Sequence, residues 1–149
     1  MSPGVELRGM VLAGCFLASC ATLPNDGVRY RVQKDALAQP LTSEPGNAAR
    51  GREIVVGRDG NCLLCHAIPE TGERFMGNVA PPLSRVGARL TAGQLRLRIV
   101  DPTLVNRDAV MPAYYRAHGL DAVAQGYRGK TILTAQQVED VVAYLTTLK

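Results

Sequence analysis

The sequence predicts an all-α fold of few helices joined by long irregular connections, and three observations carry that prediction. Thr91 and Gln94, and again Thr134 and Gln137, stand three apart at the head of apolar-periodic segments, the spacing of a helix capping box. Val138, Val141, Val142, Leu145 and Leu148 fall at i, i+3, i+4, i+7 and i+10, one face of a 3.6-period helix. No segment alternates apolar and polar residues as a half-buried strand does, and no internal repeat is visible.

Taken in order, residues 1–20 read as an export leader. Arg8 precedes an apolar stretch from Met10 to Ala18 that is too short to span a bilayer and suits a signal h-region. Cys15 and Cys20 each follow small residues in sequences that resemble the lipobox of bacterial lipoproteins. The local pattern is better at Cys15, whereas cleavage before Cys20 leaves the fuller apolar stretch, which favours a lipid anchor at Cys20. A plain signal peptide with incidental cysteines is the other reading. Either implies a periplasmic domain, with a lipid tether in the first case.

Residues 21–46 carry Pro24, Gly27, Pro40, Pro45 and Gly46 without helical periodicity and read as an extended arm or linker, able to wrap a partner. The domain proper is expected over 47–149. Asn47 is a candidate N-cap for a helix through Ala48, Gly51, Ile54 and Val55 up to Gly57. Pro69 to Leu83 reads as a loop with the rigid end Ala80-Pro81-Pro82-Leu83. The Thr91 helix runs through Leu95, Ile99 and Val100 to Asp101-Pro102, where the residue before proline ends it. A second long loop follows to about Leu133, and Thr134 opens the last helix.

Loops this long contribute little packing of their own, and at 149 residues with 5% aromatics and no Trp the chain is short of large core side chains. A large apolar cofactor would resolve both deficits. The net charge of +4 is spread along the chain without a run of basic residues, which argues against a nucleic-acid partner.

Cys62-Leu63-Leu64-Cys65-His66 supplies the cofactor: C-x-x-C-H is the attachment signature of haem c, in which two thiols bond the porphyrin vinyl groups and the adjacent imidazole reaches the iron. By chance it is expected on the order of once per thousand chains of this size. A zinc site would need two more ligands, yet beyond the leader the chain holds no further Cys and one further His, His118. A thioredoxin-like pair would follow a strand in a βαβ pattern, which is missing. One covalent haem c is therefore expected at Cys62 and Cys65, with His66 on one face of the iron.

The opposite face calls for Met or His. Met111 sits on the long loop after a helix and is followed by Pro112, which stiffens the chain presenting the sulfur. Met76, ten residues past His66, and His118 are the competing donors. A Met thioether would raise the potential and leave no open position, favouring electron transfer over catalysis at the iron. Pro81 is a candidate to orient His66 through its carbonyl oxygen, or else stiffens the loop. Arg50, Arg52, Arg58, Arg74, Arg85, Arg89, Arg96 and Arg98 form a pool from which haem-edge charges facing propionates or an acidic partner could be drawn, a solvated face being the reading for any single one.

Over roughly Asn47 to Lys149 the chain resembles the class I cytochrome c fold, with Gly51 and Tyr144 where its helices cross. The stretches Gly60 to Pro69, Ala80-Pro81-Pro82-Leu83, Val110-Met111-Pro112-Ala113-Tyr114-Tyr115-Arg116 and Gly129 to Leu145 together resemble the SoxX family, the monohaem small subunits of the bacterial sulfur-oxidising complex SoxAX. That resemblance implies a heterodimer with a SoxA-like haem subunit, acting with a SoxY-type carrier protein whose cysteine is oxidatively joined to thiosulfate. The chain would accept the electrons and pass them to a downstream acceptor, as the non-catalytic subunit of an L-cysteine S-thiosulfotransferase. It also implies haem on Cys62 and Cys65, ligation by His66 and Met111, and no sulfur-attacking residue here. Ala80 departs from the Gly common before the loop proline in the wider fold, and the family does not require a lipobox-like leader. The alternative is a free-standing periplasmic monohaem carrier to a terminal oxidase or reductase.

Overall fold

The computed structural model describes Met1 and residues 30–149; Cys15, Cys20, the leader stretch and residues 21–29 of the arm lie outside the described residues. The described chain folds into helices α1 (Ala48–Val56), α2 (Val86–Arg89), α3 (Ala92–Val100) and α4 (Ala135–Thr147). Single 3-10 turns at Cys62–Leu64, Pro69–Thr71, Pro102–Leu104 and Gln125–Tyr127 interrupt the connections. Among the described residues there is no strand, only a lone bridge between Gln33 and Ala36. The all-α expectation holds.

The helix boundaries follow from the predicted caps. Asn47 accepts the Ala49 and Arg50 N–H groups at 2.9 and 3.0 Å, satisfying two donors that the first turn leaves without helical partners. Thr91 and Gln94, and Thr134 and Gln137, both form complete capping boxes. α2 was not anticipated, because a single turn is too short to show a period.

The most extensive helix contact is the crossing of α1 and α4. Gly51 makes it close: a Cβ there would overlap the Asp140 carbonyl oxygen and lie 2.9 Å from the Tyr144 Cβ. Val138, Val141, Val142, Leu145 and Leu148 of the last-helix pattern are all buried, with Val55, Leu97, Val100 and Leu133 around them. Each such side chain contributes about 2 kcal/mol when fully removed from water.

The described part of the arm is not a free linker. Leu37 is 1% exposed, and its N–H donates to the Gly93 carbonyl at 2.9 Å. The Leu41 N–H donates to Glu139 Oε1 at 2.9 Å, and Gln94 Nε2 donates to Asp35 Oδ2 at 2.8 Å. This described part is a strap across α3 and α4, held by scattered contacts that carry no sequence period.

Under the strap lies a correction to the arginine expectation. Arg96 is neither a haem-edge charge nor solvated: it is 5% exposed and grips Glu139, equally buried, through Nε–Oε1 at 2.7 Å and Nη2–Oε2 at 2.8 Å. Its Nη1 donates to the Leu37 carbonyl at 2.7 Å. The two-pronged geometry and extra partners are what a buried ion pair needs to offset desolvation.

Candidate haem site

The C-x-x-C-H segment folds as one tight turn. Asn61 enters in the left-handed region at φ 48°, Cys62–Leu64 wind as a 3-10 turn, and the His66 N–H donates to the Cys62 carbonyl at 2.9 Å. The loop beyond presses onto this turn: the Gly77 N–H donates to the Leu63 carbonyl at 2.7 Å, and a Cβ on Gly77 would lie 2.8 Å from the Cys65 Cα. The Ala80 N–H returns to the Cys65 carbonyl at 3.0 Å. The motif and the proline loop are thus one backbone unit.

Cys62, Cys65 and His66 line a cavity of about 560 Å³ whose other walls are mostly apolar, among them Leu95 and Ile99 of α3 and Val141 and Leu145 of α4. A cavity of this size, dry-walled with a few convergent donors, is what a cofactor site requires. Two thiols and an imidazole on one wall fit haem c by donor chemistry. Burial pushes the Cys62 thiol up to about 11.

His66 Nδ1 lies 2.7 Å from the Pro81 carbonyl oxygen. A carbonyl only accepts, so Nδ1 carries the proton and Nε2 keeps its lone pair for a metal. Pro81 also lines the cavity.

Of the competing donors, only Met111 lines this cavity. The Met76 sulfur accepts the Ile68 N–H at 3.1 Å, and His118 is exposed on its loop; neither lines the cavity wall. Arg89 and Arg98 are the members of the arginine pool that reach it. Arg50 instead bonds Asp140, and Arg52 donates to the Thr71 carbonyl at 2.6 Å.

Sequence reasoning missed Tyr114 as a site residue. Its hydroxyl donates to the Gly60 carbonyl at 2.5 Å, joining the Met111 loop to the haem-attachment turn, and its ring lines the cavity. Burial pushes its phenol up to about 12, which keeps the hydroxyl a donor. With five tyrosines and no Trp in the chain, an aromatic three residues past Met111 was the available signal.

The comparisons agree with this geometry. The cytochrome c family model matches residues 48–149. The crystal structure of SoxXA from P. pantotrophus contains a chain that superposes with a TM-score of 0.74 at 37% identity, covering 80% of this chain and 94% of that one. No curated protein matches. The chain belongs to the cytochrome c family, as a SoxX-type electron-transfer cytochrome that carries covalently bound haem c.

Proposed function

We propose that the chain is the electron-accepting subunit of a periplasmic thiosulfate-oxidising complex, paired with a SoxA-type haem subunit. The observation that carries this reading is the likeness to a chain of the SoxXA structure over 94% of that chain's length. In the complex, thiosulfate is joined to a SoxY-type carrier cysteine by a new S–S bond, which releases two electrons. A single haem takes them one at a time.

When bound, haem c supplies a one-electron reservoir between ferrous and ferric iron. The chain's own residues fix its properties. Cys62 and Cys65 would hold it by thioether bonds, His66 Nε2 and Met111 Sδ would be the iron's protein ligands, and the Pro81 carbonyl would orient the imidazole through Nδ1–H. A thioether opposite imidazole raises the potential, which suits an acceptor. No thiol beyond these two stands among the described residues, so the sulfur chemistry belongs to the partner. The leader reading places the domain in the periplasm, with Cys20 as the favoured lipid anchor.

The test mixes the purified haem-loaded chain with a SoxA-type subunit, a SoxY-type carrier and thiosulfate, and follows haem reduction optically. Reduction that requires all three components is expected. Equally fast reduction by a quinol-oxidising complex, with none by the thiosulfate mixture, would favour the free-standing carrier.

A further inference from the structure

We infer that Asp101 and Arg116 form a latch that closes the base of the Met111 loop, making both positioning residues for the sulfur; this rests on Met111 as the iron ligand. The loop leaves α3 at Asp101 and returns at Arg116. One carboxylate holds both limbs. Asp101 Oδ1 accepts the Thr103 N–H at 3.1 Å and the Thr103 hydroxyl at 2.6 Å on the outgoing limb. Asp101 Oδ2 accepts Arg116 Nη1 at 2.9 Å on the returning limb, and that nitrogen also reaches Thr103 Oγ1 at 3.3 Å.

The segment between is weakly tied. The hydrogen bonds of residues 107–113 stay within the loop, from the Asp108 and Ala109 N–H groups to Asn106. Apart from the packing of Met111 against the core and the burial of Ala113, what fixes this segment is the geometry of the loop's base. On the returning limb that base consists of the backbone bonds from Tyr114 to Ile99, from Tyr115 to Val100 and from Leu133 to the Tyr114 carbonyl, the Tyr114 hydroxyl, and the Arg116 side chain. Asp101 is 3% exposed, so its charge needs the guanidinium; without it, the carboxylate is stabilised by moving toward water, which pulls the two limbs apart.

An added nitrogen ligand reads this directly. Imidazole binds ferric iron only while Met111 is displaced, so its apparent affinity scales with the open fraction of the loop. In the haem-loaded protein, Arg116→Gln is expected to tighten imidazole binding about tenfold, corresponding to a tenfold larger open fraction. The far-red sulfur-to-iron band should be lost on heating well before the far-UV helical signal, and Arg116→Lys should restore most of the wild-type behaviour.

Arg50→Gln is the matched control, because Arg50 also pairs with a buried aspartate, Asp140, but on the α1–α4 side. It should leave imidazole affinity unchanged. Wild-type imidazole binding in Arg116→Gln, or an equal gain in Arg50→Gln, would overturn the latch. Met111→Ala separates the two readings. If it keeps the far-red band, the Met111 ligation itself is wrong; if it loses the band while Arg116→Gln is silent, only the latch is wrong.

Discussion

The α1–α4 crossing and the wall that carries Met111 are built on opposite plans. At the crossing, regular helices meet at van der Waals contact over Gly51, and buried charges are each held by several partners. Around Met111 the chain is irregular, residues 107–113 bond only locally, and the core side chains beneath it, Leu133, Val141 and Leu145 among them, also line a cavity. The first region packs helix on helix, and only α4, through Val141 and Leu145, also walls the cavity that the second region shares with haem. The protein thus places its helix crossing and its Met111 wall on two sides of one core, joined through α4.

Substitutions can test that arrangement, and the largest losses should come from the crossing side. Glu139→Ala leaves Arg96 buried without its carboxylate and is expected to lower unfolding free energy by about 4 kcal/mol in urea titrations. Gly51→Val forces the helices apart and should cost about 3 kcal/mol by the same measurement, with the haem spectrum of the folded fraction unchanged.

Asp140→Asn weakens the links to Arg50 and to the Asn47 N–H and should cost about 2 kcal/mol at pH 7. Burial alone would raise the Asp140 pKa, but the hydrogen bonds from Arg50, Asn47 and Gln136 together hold it below its ordinary value. A carboxylate depressed in the folded state stabilises fully above its unfolded pKa of about 3.9. That contribution fades as pH falls through the lower folded value. The gap between wild type and Asp140→Asn should accordingly be constant above about pH 5 and close on further acidification.

On the cavity side the stability effects shrink while the electronic ones grow. Met111→Ala is expected to cost roughly 1 kcal/mol, because the side chain is only half-buried, yet to abolish the far-red band and lower the midpoint potential in a redox titration. Met76→Ala should leave both unchanged. Smallest of all is Pro81→Ala, since the group that meets His66 is a backbone carbonyl that alanine also carries. A change within about 0.5 kcal/mol and an unaltered spectrum are expected.

The same division explains what could be read in the sequence. The three longer helices announced themselves through caps and period, because those signals are local. C-x-x-C-H is legible for the same reason: its chemistry needs five consecutive residues. Met111 could be narrowed to three candidates, but only the path of the chain separates it from Met76, whose sulfur is taken up by the Ile68 N–H. Arg96 and Glu139 carried no local mark of burial, since each looks like an ordinary helix-surface charge until the strap covers it. Tyr114 escaped because its partner, the Gly60 carbonyl, lies 54 residues away.

The strap has a further consequence for the order in which the chain can assemble. The Leu41 N–H meets Glu139 across 98 residues, and Arg50 meets Asp140 across 90. Contacts so distant in sequence close late, because the intervening loop entropy must be overcome first. Until α4 docks, neither acidic residue has its partner. During that interval the Cys62–His66 turn, which forms from neighbouring residues alone, stands without the α4 wall over it. Slow closure thus lengthens the interval in which a rigid planar ring can enter from the side and meet the two thiols.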